Sequence, residues 1–152
     1  MRSSHILAAI GLVVVVLARI SAQSQKAPAV ASAQPSSQTG AISGNIEHGR
    51  YIAEHVAMCV ECHSGRDRHG NIIDGERYLG APMPSGPAWA TDWALRAPRN
   101  KGLPGYDDAM AMRLLTEGSI GRDGVQLKLP MPRFRMAPQD AADVIAFLRS
   151  LP

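Results

Sequence analysis

The chain has very few cysteines, since Cys59 and Cys62 are the only two among its 152 residues. This number excludes a disulfide framework, which needs several cysteine pairs. It also disfavours a structural zinc site, because such a site needs four protein ligands and the chain has no third cysteine. Both thiols belong to one short motif, so we expect no structural disulfide.

The chain also lacks a long apolar run. The longest run, residues 6–18, has thirteen residues, whereas a membrane-spanning helix needs about 20. It follows a short basic start and precedes the small residues Ser21 and Ala22, as in an export signal. We therefore predict that residues 1–22 are a cleaved signal peptide and that the protein is periplasmic. The alternative is an uncleaved anchor that holds the protein at the outer face of the cytoplasmic membrane.

A strong excess of one charge sign is missing as well. The formal net charge of +3 includes Arg2 and Arg19 of the predicted signal peptide, and without these two side chains it falls to +1. A protein so close to neutrality has no electrostatic footprint for nucleic acid. We therefore expect no nucleic-acid partner.

The composition divides the remaining chain into two parts. Residues 23–43 are rich in Ala, Ser, Gln and Pro and carry one charge, which predicts a disordered linker. Residues 44–152 are long enough for one domain. Helix-start signals within this domain occur at Asn45, at Asp107 or Asp108, and at Pro138.

The most informative stretch is Cys59-Val60-Glu61-Cys62-His63. Two thiols three positions apart, followed directly by an imidazole, are typical of covalent haem attachment. Each thiol can add to one vinyl group of the ring, and His63 then supplies one axial nitrogen to the iron. A disulfide, a thioredoxin-type redox pair and a zinc site are the alternatives. The redox pair is disfavoured because the sequence shows no βαβ pattern around the motif.

A methionine is the expected ligand on the opposite side of the iron, because His/Met ligation suits electron transfer. Met131 lies between two prolines just before the last predicted helix, and we expect its sulfur to be this ligand. Met83 has the same Pro-Met-Pro setting, and Met136 lies at the edge of the helix. Both remain alternatives.

Residues 64–100 contain turn signals throughout. The segment is too long for a loop without a structural role in a compact domain, so we expect it to wrap the cofactor. A carbonyl of this proline-containing region is expected to accept a hydrogen bond from the second nitrogen of His63. Tyr78, Trp89 and Trp93 are candidates for contact with the ring, and core packing is the alternative. The other histidines of the domain, His48, His55 and His69, are expected on the surface.

The residues from Gly49 through the Cys59–His63 motif to Met131-Pro132 and the last helix resemble the class I cytochrome c family. The resemblance implies an all-α fold, in which the first and last helices cross around one covalently bound haem c. It matches Cys59 and Cys62 to the thioether cysteines, His63 to the proximal iron ligand and Met131 to the distal one. It also places Gly49 and Phe147 at the helix crossing, although tyrosine is more common at the position of Phe147.

These observations predict a periplasmic electron carrier or relay subunit, not an enzyme. We expect its partners to be redox proteins, such as a dehydrogenase, an oxidase or another cytochrome. The rival interpretation is a haem enzyme or gas sensor with an open distal site. A third possibility is a haem-bearing subunit of a larger complex, which differs in partner and not in chemistry.

Overall fold

The computed structural model describes residues 42–152. The predicted signal peptide and all but the last two residues of the predicted linker lie outside this part of the chain. Four α-helices are assigned in it: α1 (Ile46–Tyr51), α2 (Cys59–His63), α3 (Asp108–Thr116) and α4 (Pro138–Ser150). A π-helix (Ile52–Val56), a 3-10 helix (Asp74–Glu76) and two short strands, β1 (Ala81–Pro82) and β2 (Arg96–Ala97), complete the regular structure.

Helix α1 begins as the sequence predicts, because the Asn45 side chain accepts hydrogen bonds from the amides of Glu47 and His48. The α-helix does not continue unchanged to the cysteine motif. It widens into the π-helix, where the Ala57 amide donates to the Ile52 carbonyl oxygen over 2.7 Å. This i to i−5 hydrogen bond accommodates one extra residue in the turn.

Helices α1 and α4 pack directly on each other at Gly49. A Cβ atom at Gly49 would overlap the Asp143 carbonyl oxygen of α4, so only glycine permits this approach. The prediction that Gly49 marks a close helix crossing is therefore confirmed. Phe147 of α4 is buried nearby, with Arg50 above its ring at 5.9 Å from the centroid.

Helices α3 and α4 start where the sequence predicts. Asp107 caps α3 by accepting from the Met110 amide, and Pro138 occupies the first turn of α4. The apolar residues of both helices join one buried cluster. Ile42 also packs on this cluster, and its amide donates to the Asp108 carboxylate over 3.0 Å. Packing in the described part of the chain therefore starts before residue 44.

Strands β1 and β2 form an antiparallel pair in which Ala81 faces Ala97 and Pro82 faces Arg96. The chain between the two strands forms a long loop, and the strand pair joins its two ends. Within residues 42–152, none of the helices combines the length and apolarity required to cross a membrane. The all-α class I cytochrome c architecture stays a prediction.

Candidate cofactor site

A sharp turn separates the Cys59–His63 motif from the first helix. Met58 adopts a left-handed backbone conformation with φ of 54°, which ends the π-helix and starts α2 in a new direction. The end of α2 is fixed by the Gly80 amide, which donates to the His63 carbonyl oxygen over 2.8 Å. The motif is therefore held in place by backbone contacts on both sides.

Helix α2 lies against a cavity of about 410 Å³, which is within the usual size range of cofactor and ligand pockets. Distant parts of the chain form its wall: the motif, the segment before and after β2, helix α3, the segment before α4, and α4 itself. Apolar wall residues include Leu103, Leu114, Leu115, Phe134, Val144, Ile145 and Leu148. Cys59, Cys62, His63 and Met131 all line it. The four residues that the sequence singles out thus share one cavity.

The His63 ring is held in one orientation. Its Nδ1 donates to the Pro98 carbonyl oxygen over 2.6 Å, which confirms the expected hydrogen bond to a proline-region carbonyl. Burial lowers the pKa of His63, and the Pro98 hydrogen bond offsets this effect in part. The ring is therefore neutral at pH 7, and its Nε2 keeps a free lone pair for an electrophilic partner.

Both cysteines have free thiols. Cys59 is buried and Cys62 is partly exposed. Burial, as the largest cause, raises the pKa of Cys59 to about 11. At neutral pH this thiol is therefore protonated.

The structure separates the three methionines considered as the distal ligand. Met131 and Met83 both line the cavity. Met136 does not line it; it packs on the apolar core instead, and its amide donates to the Leu115 carbonyl oxygen over 2.9 Å. Met131 and Met83 thus stay the candidates for a ligand supplied to the cavity, and Met136 does not.

Three polar side chains near Pro98 also line the cavity, and the sequence did not single them out: Arg96, Arg99 and Asn100. The Asn100 amide oxygen is buried and has no hydrogen-bond partner in the part of the chain that the structure describes. Neither arginine forms a salt bridge with a carboxylate of residues 42–152. A buried acceptor oxygen without a partner costs about 1–3 kcal/mol, which a hydrogen-bond donor at this edge would recover.

The aromatic residues proposed for ring contact do not line the cavity. Tyr78 is buried in the core, where its ring meets Phe147 edge to face at 5.7 Å between centroids. The Trp93 indole donates to the Pro84 carbonyl oxygen over 2.9 Å, and Trp89 is 74% exposed. The core-packing alternative holds for Tyr78. Of the tyrosines in residues 42–152, Tyr106 is the one that lines the cavity.

His48 has a structural role that its surface position conceals. Its Nδ1 lies 2.7 Å from the buried Asp143 carboxylate, which also accepts from the Asn45 amide and from Gln139. The His48 hydrogen bond, as the largest cause, lowers the pKa of Asp143. This carboxylate therefore joins α1 to α4. His55 and His69 are exposed as expected.

Charge is unevenly distributed along residues 42–152, although acidic and basic side chains are equal in number there. Residues 83–101 and 121–137, which supply much of the cavity wall, carry seven basic and two acidic side chains. The remaining described residues carry six basic and eleven acidic ones. The cavity is thus bordered by the basic segments of an otherwise acidic domain.

These residues fit a covalently bound haem. The apolar wall suits the ring, the two thiols and His63 lie together at one side, and Met83 and Met131 line the same cavity. Arg96 and Arg99 supply cationic donors for the carboxylates of the propionates. The same donor set is poorly suited to zinc, which needs four protein ligands in a structural site.

No protein-family model matches the chain, and no curated protein matches it either.

Proposed function

We propose that this protein is a c-type cytochrome that transfers single electrons in the periplasm. In this proposal Cys59 and Cys62 hold haem c through thioether bonds, His63 is the proximal iron ligand and Met131 the distal one. When bound, haem iron supplies a one-electron ferric–ferrous couple in which no bond is broken. The proposed fold is that of the class I cytochrome c family, and the proposed partners are redox proteins.

The observation that carries the proposal is the fixed orientation of His63 beside the two thiols. Because Nδ1 is used by Pro98, Nε2 is the nitrogen left for iron. The Pro98 hydrogen bond also makes the imidazole a stronger donor, as second-sphere hydrogen bonds do at other metal sites. A neutral, aligned imidazole next to two thiols on an apolar cavity is what covalent haem attachment requires.

The wall residues supply the remaining conditions for electron transfer. Apolar side chains from α3 and α4 would exclude water from a haem held in the cavity, which would favour the less charged redox state and reduce reorganisation. Arg96 and Arg99 would compensate the propionate charges. No wall residue changes protonation in this scheme, so the chain acts as a rigid holder.

Met131 is proposed over Met83 because its segment, which follows α3, is distant along the chain from the segment that orients His63. Met83 follows directly on β1, which is paired with β2 next to Pro98. The rival enzyme or sensor would need a polar distal pocket. Among the histidines that the structure describes, His63 alone lines the cavity, and this favours the carrier.

The test is an absorption spectrum of the exported protein made in a host that attaches haem c. We expect a pigment that stays with the chain after denaturation, and a near-infrared sulfur-to-iron band in the oxidised form. Met131→Ala should abolish the band, and the matched variant Met83→Ala should keep it. The absence of a covalent pigment contradicts the proposal. Rapid carbon monoxide binding to the reduced wild type would favour the open-site rival.

A further inference from the structure

We name the loop between β1 and β2, residues 83–95, the Trp93 loop. The β1–β2 pair closes its base, and the Met83 amide extends this pairing by donating to the Leu95 carbonyl oxygen over 2.9 Å. Met83 and Ala94, at the two ends of the loop, line the cavity. The loop therefore begins and ends at the cavity wall.

Trp93 is the internal support of this loop. Its indole nitrogen donates to the Pro84 carbonyl oxygen over 2.9 Å, which joins the two arms of the loop. Its ring also lies against Gly86, where a Cβ atom would come within 2.6 Å of the ring carbons. By contrast, Trp89 at the loop tip is 74% exposed. The two tryptophans thus differ sharply in structural role.

The loop is fastened to the segment that carries Met131. The Ala94 amide donates to the Leu129 carbonyl oxygen over 2.6 Å, next to a parallel bridge between Trp93 and Leu129. The Asp92 carboxylate also pairs with the Lys128 ammonium group at 3.1 Å. Three consecutive loop residues therefore contact two consecutive residues that lie just before Met131.

The fastened segment has little other regular structure. Residues 128–131 lie outside the helices and strands, and the Met131 amide donates locally to the Lys128 carbonyl oxygen over 3.2 Å. Lys128 and Met131 line the cavity together with Ala94. The loop and this segment form one continuous part of the wall, and the loop's hydrogen bond fixes the segment from outside.

We propose that Trp93 is a positioning residue for the Met131 thioether, acting through the Ala94–Leu129 hydrogen bond. The inference rests on the proposed function and assigns a role to the tryptophan loop. With the loop rigid, the Met131 sulfur is held at the iron and added ligands compete poorly. With the Trp93 support removed, the segment relaxes and the sulfur leaves the iron more often.

The test uses the haem-loaded protein with two variants that disturb the support in different ways. Trp93→Phe removes the indole N–H, and Gly86→Ala pushes against the ring without requiring an unusual backbone angle. Imidazole is the probe, because it binds ferric iron only when the sulfur has left. The loss of one hydrogen bond corresponds to an increase of up to about tenfold in imidazole affinity.

Two further readouts are measured on the same samples. The near-infrared sulfur-to-iron band should weaken at room temperature in both variants. Hydrogen exchange at the Ala94 amide should accelerate by a similar factor, and this readout reports on the loop alone. The matched controls are Trp89→Phe at the exposed loop tip and Gly75→Ala, where an added Cβ meets no atom within 4 Å.

The outcomes separate the inference from the function it rests on. A wild-type protein with no sulfur-to-iron band refutes the proposed ligand set and the inference with it. A normal wild-type band with imidazole affinities of both variants within twofold of wild type overturns the inference alone. An equal effect of Trp89→Phe also overturns it, because a general loosening of the loop would then be responsible.

Discussion

At the scale of single residues, Gly49 determines how closely α1 can approach the backbone of α4. Gly49→Ala should lower the free energy of unfolding by about 2–3 kcal/mol, because the new methyl group meets backbone of α4 that has no room to shift. Urea unfolding measures the effect. Gly75→Ala is the control and should change stability by less than about 1 kcal/mol. Equal effects of the two substitutions would contradict the close crossing.

Asp143 makes a second residue-scale prediction, which concerns pH. Because its folded-state pKa is held below the ordinary value, its contribution to stability is present above about pH 4 and is lost as the pH falls through the folded-state pKa. Asp143→Asn should therefore lower the free energy of unfolding by about 1 kcal/mol or more at pH 7. The difference from wild type should shrink toward pH 2.

A second carboxylate also makes the stability depend on pH. Asp108 has a lowered pKa, chiefly through its hydrogen bond with Arg149, and it is present both in the wild type and in the Asp143→Asn variant. Its acid sensitivity cancels when the unfolding curves of wild type and Asp143→Asn are subtracted. A stability difference that stays constant from pH 7 to pH 2 would show that the Asp143 charge does not matter.

Sequence reasoning reaches some of these residue roles and not others. Gly49 is noticeable because glycine inside a helix costs about 1 kcal/mol and so needs a reason. The partnership of His48 with Asp143 joins positions 95 residues apart, and no local pattern predicts it. The same holds for Pro98: the chemistry of His63 requires a carbonyl, but only the folded chain selects which one.

At the scale of elements, the turn at Met58 sets the direction of the cysteine motif. A non-glycine residue in the left-handed region costs about 1–2 kcal/mol, and the Met58 side chain is 46% exposed. Met58→Gly should therefore raise the free energy of unfolding by about 1 kcal/mol. Met58→Val should lower it by a similar amount, because a branched side chain fits this conformation worse. Thermal unfolding of the two variants checks the opposite signs.

Element boundaries were predictable where caps and apolar periodicity agree. Asn45, Asp107 and Pro138 start their helices as expected. The side chains of Asn45 and Asp107 accept hydrogen bonds from free amides of the first turn, and Pro138 has no amide hydrogen that would need a partner. The π-helix was missed, since one extra residue in a turn leaves no distinct side-chain pattern. The β1–β2 pair was also missed, because two-residue strands are too short for alternation to be visible.

At the scale of the whole molecule, the uneven charge distribution should control reactions with charged reagents. The proposed electron transfer passes one electron from the reduced protein to hexacyanoferrate(III), giving oxidised protein and hexacyanoferrate(II). Because the anion approaches basic segments, its second-order rate constant should fall about threefold or more as ionic strength rises from about 0.01 M to 0.15 M. Stopped-flow absorption measures it.

Two charge reversals distinguish local charge from net charge. Arg96→Glu changes a side chain of the cavity wall, whereas Arg68→Glu makes the same net change on an exposed turn outside it. At low ionic strength Arg96→Glu should slow the reaction with hexacyanoferrate(III) more strongly. Equal slowing by both variants would show that only the total charge of the protein matters.

Because basic segments supply much of the cavity wall, we expect the charge of the domain to be asymmetric, although its formal charges nearly cancel. A cation-exchange resin should retain such a molecule in a preferred orientation, with the cavity side toward the resin, even close to its isoelectric point. On a negatively charged electrode the same orientation would bring the proposed haem site toward the conducting surface. Electrostatic adsorption alone would then give a layer of protein that exchanges electrons with the electrode, without any engineered attachment.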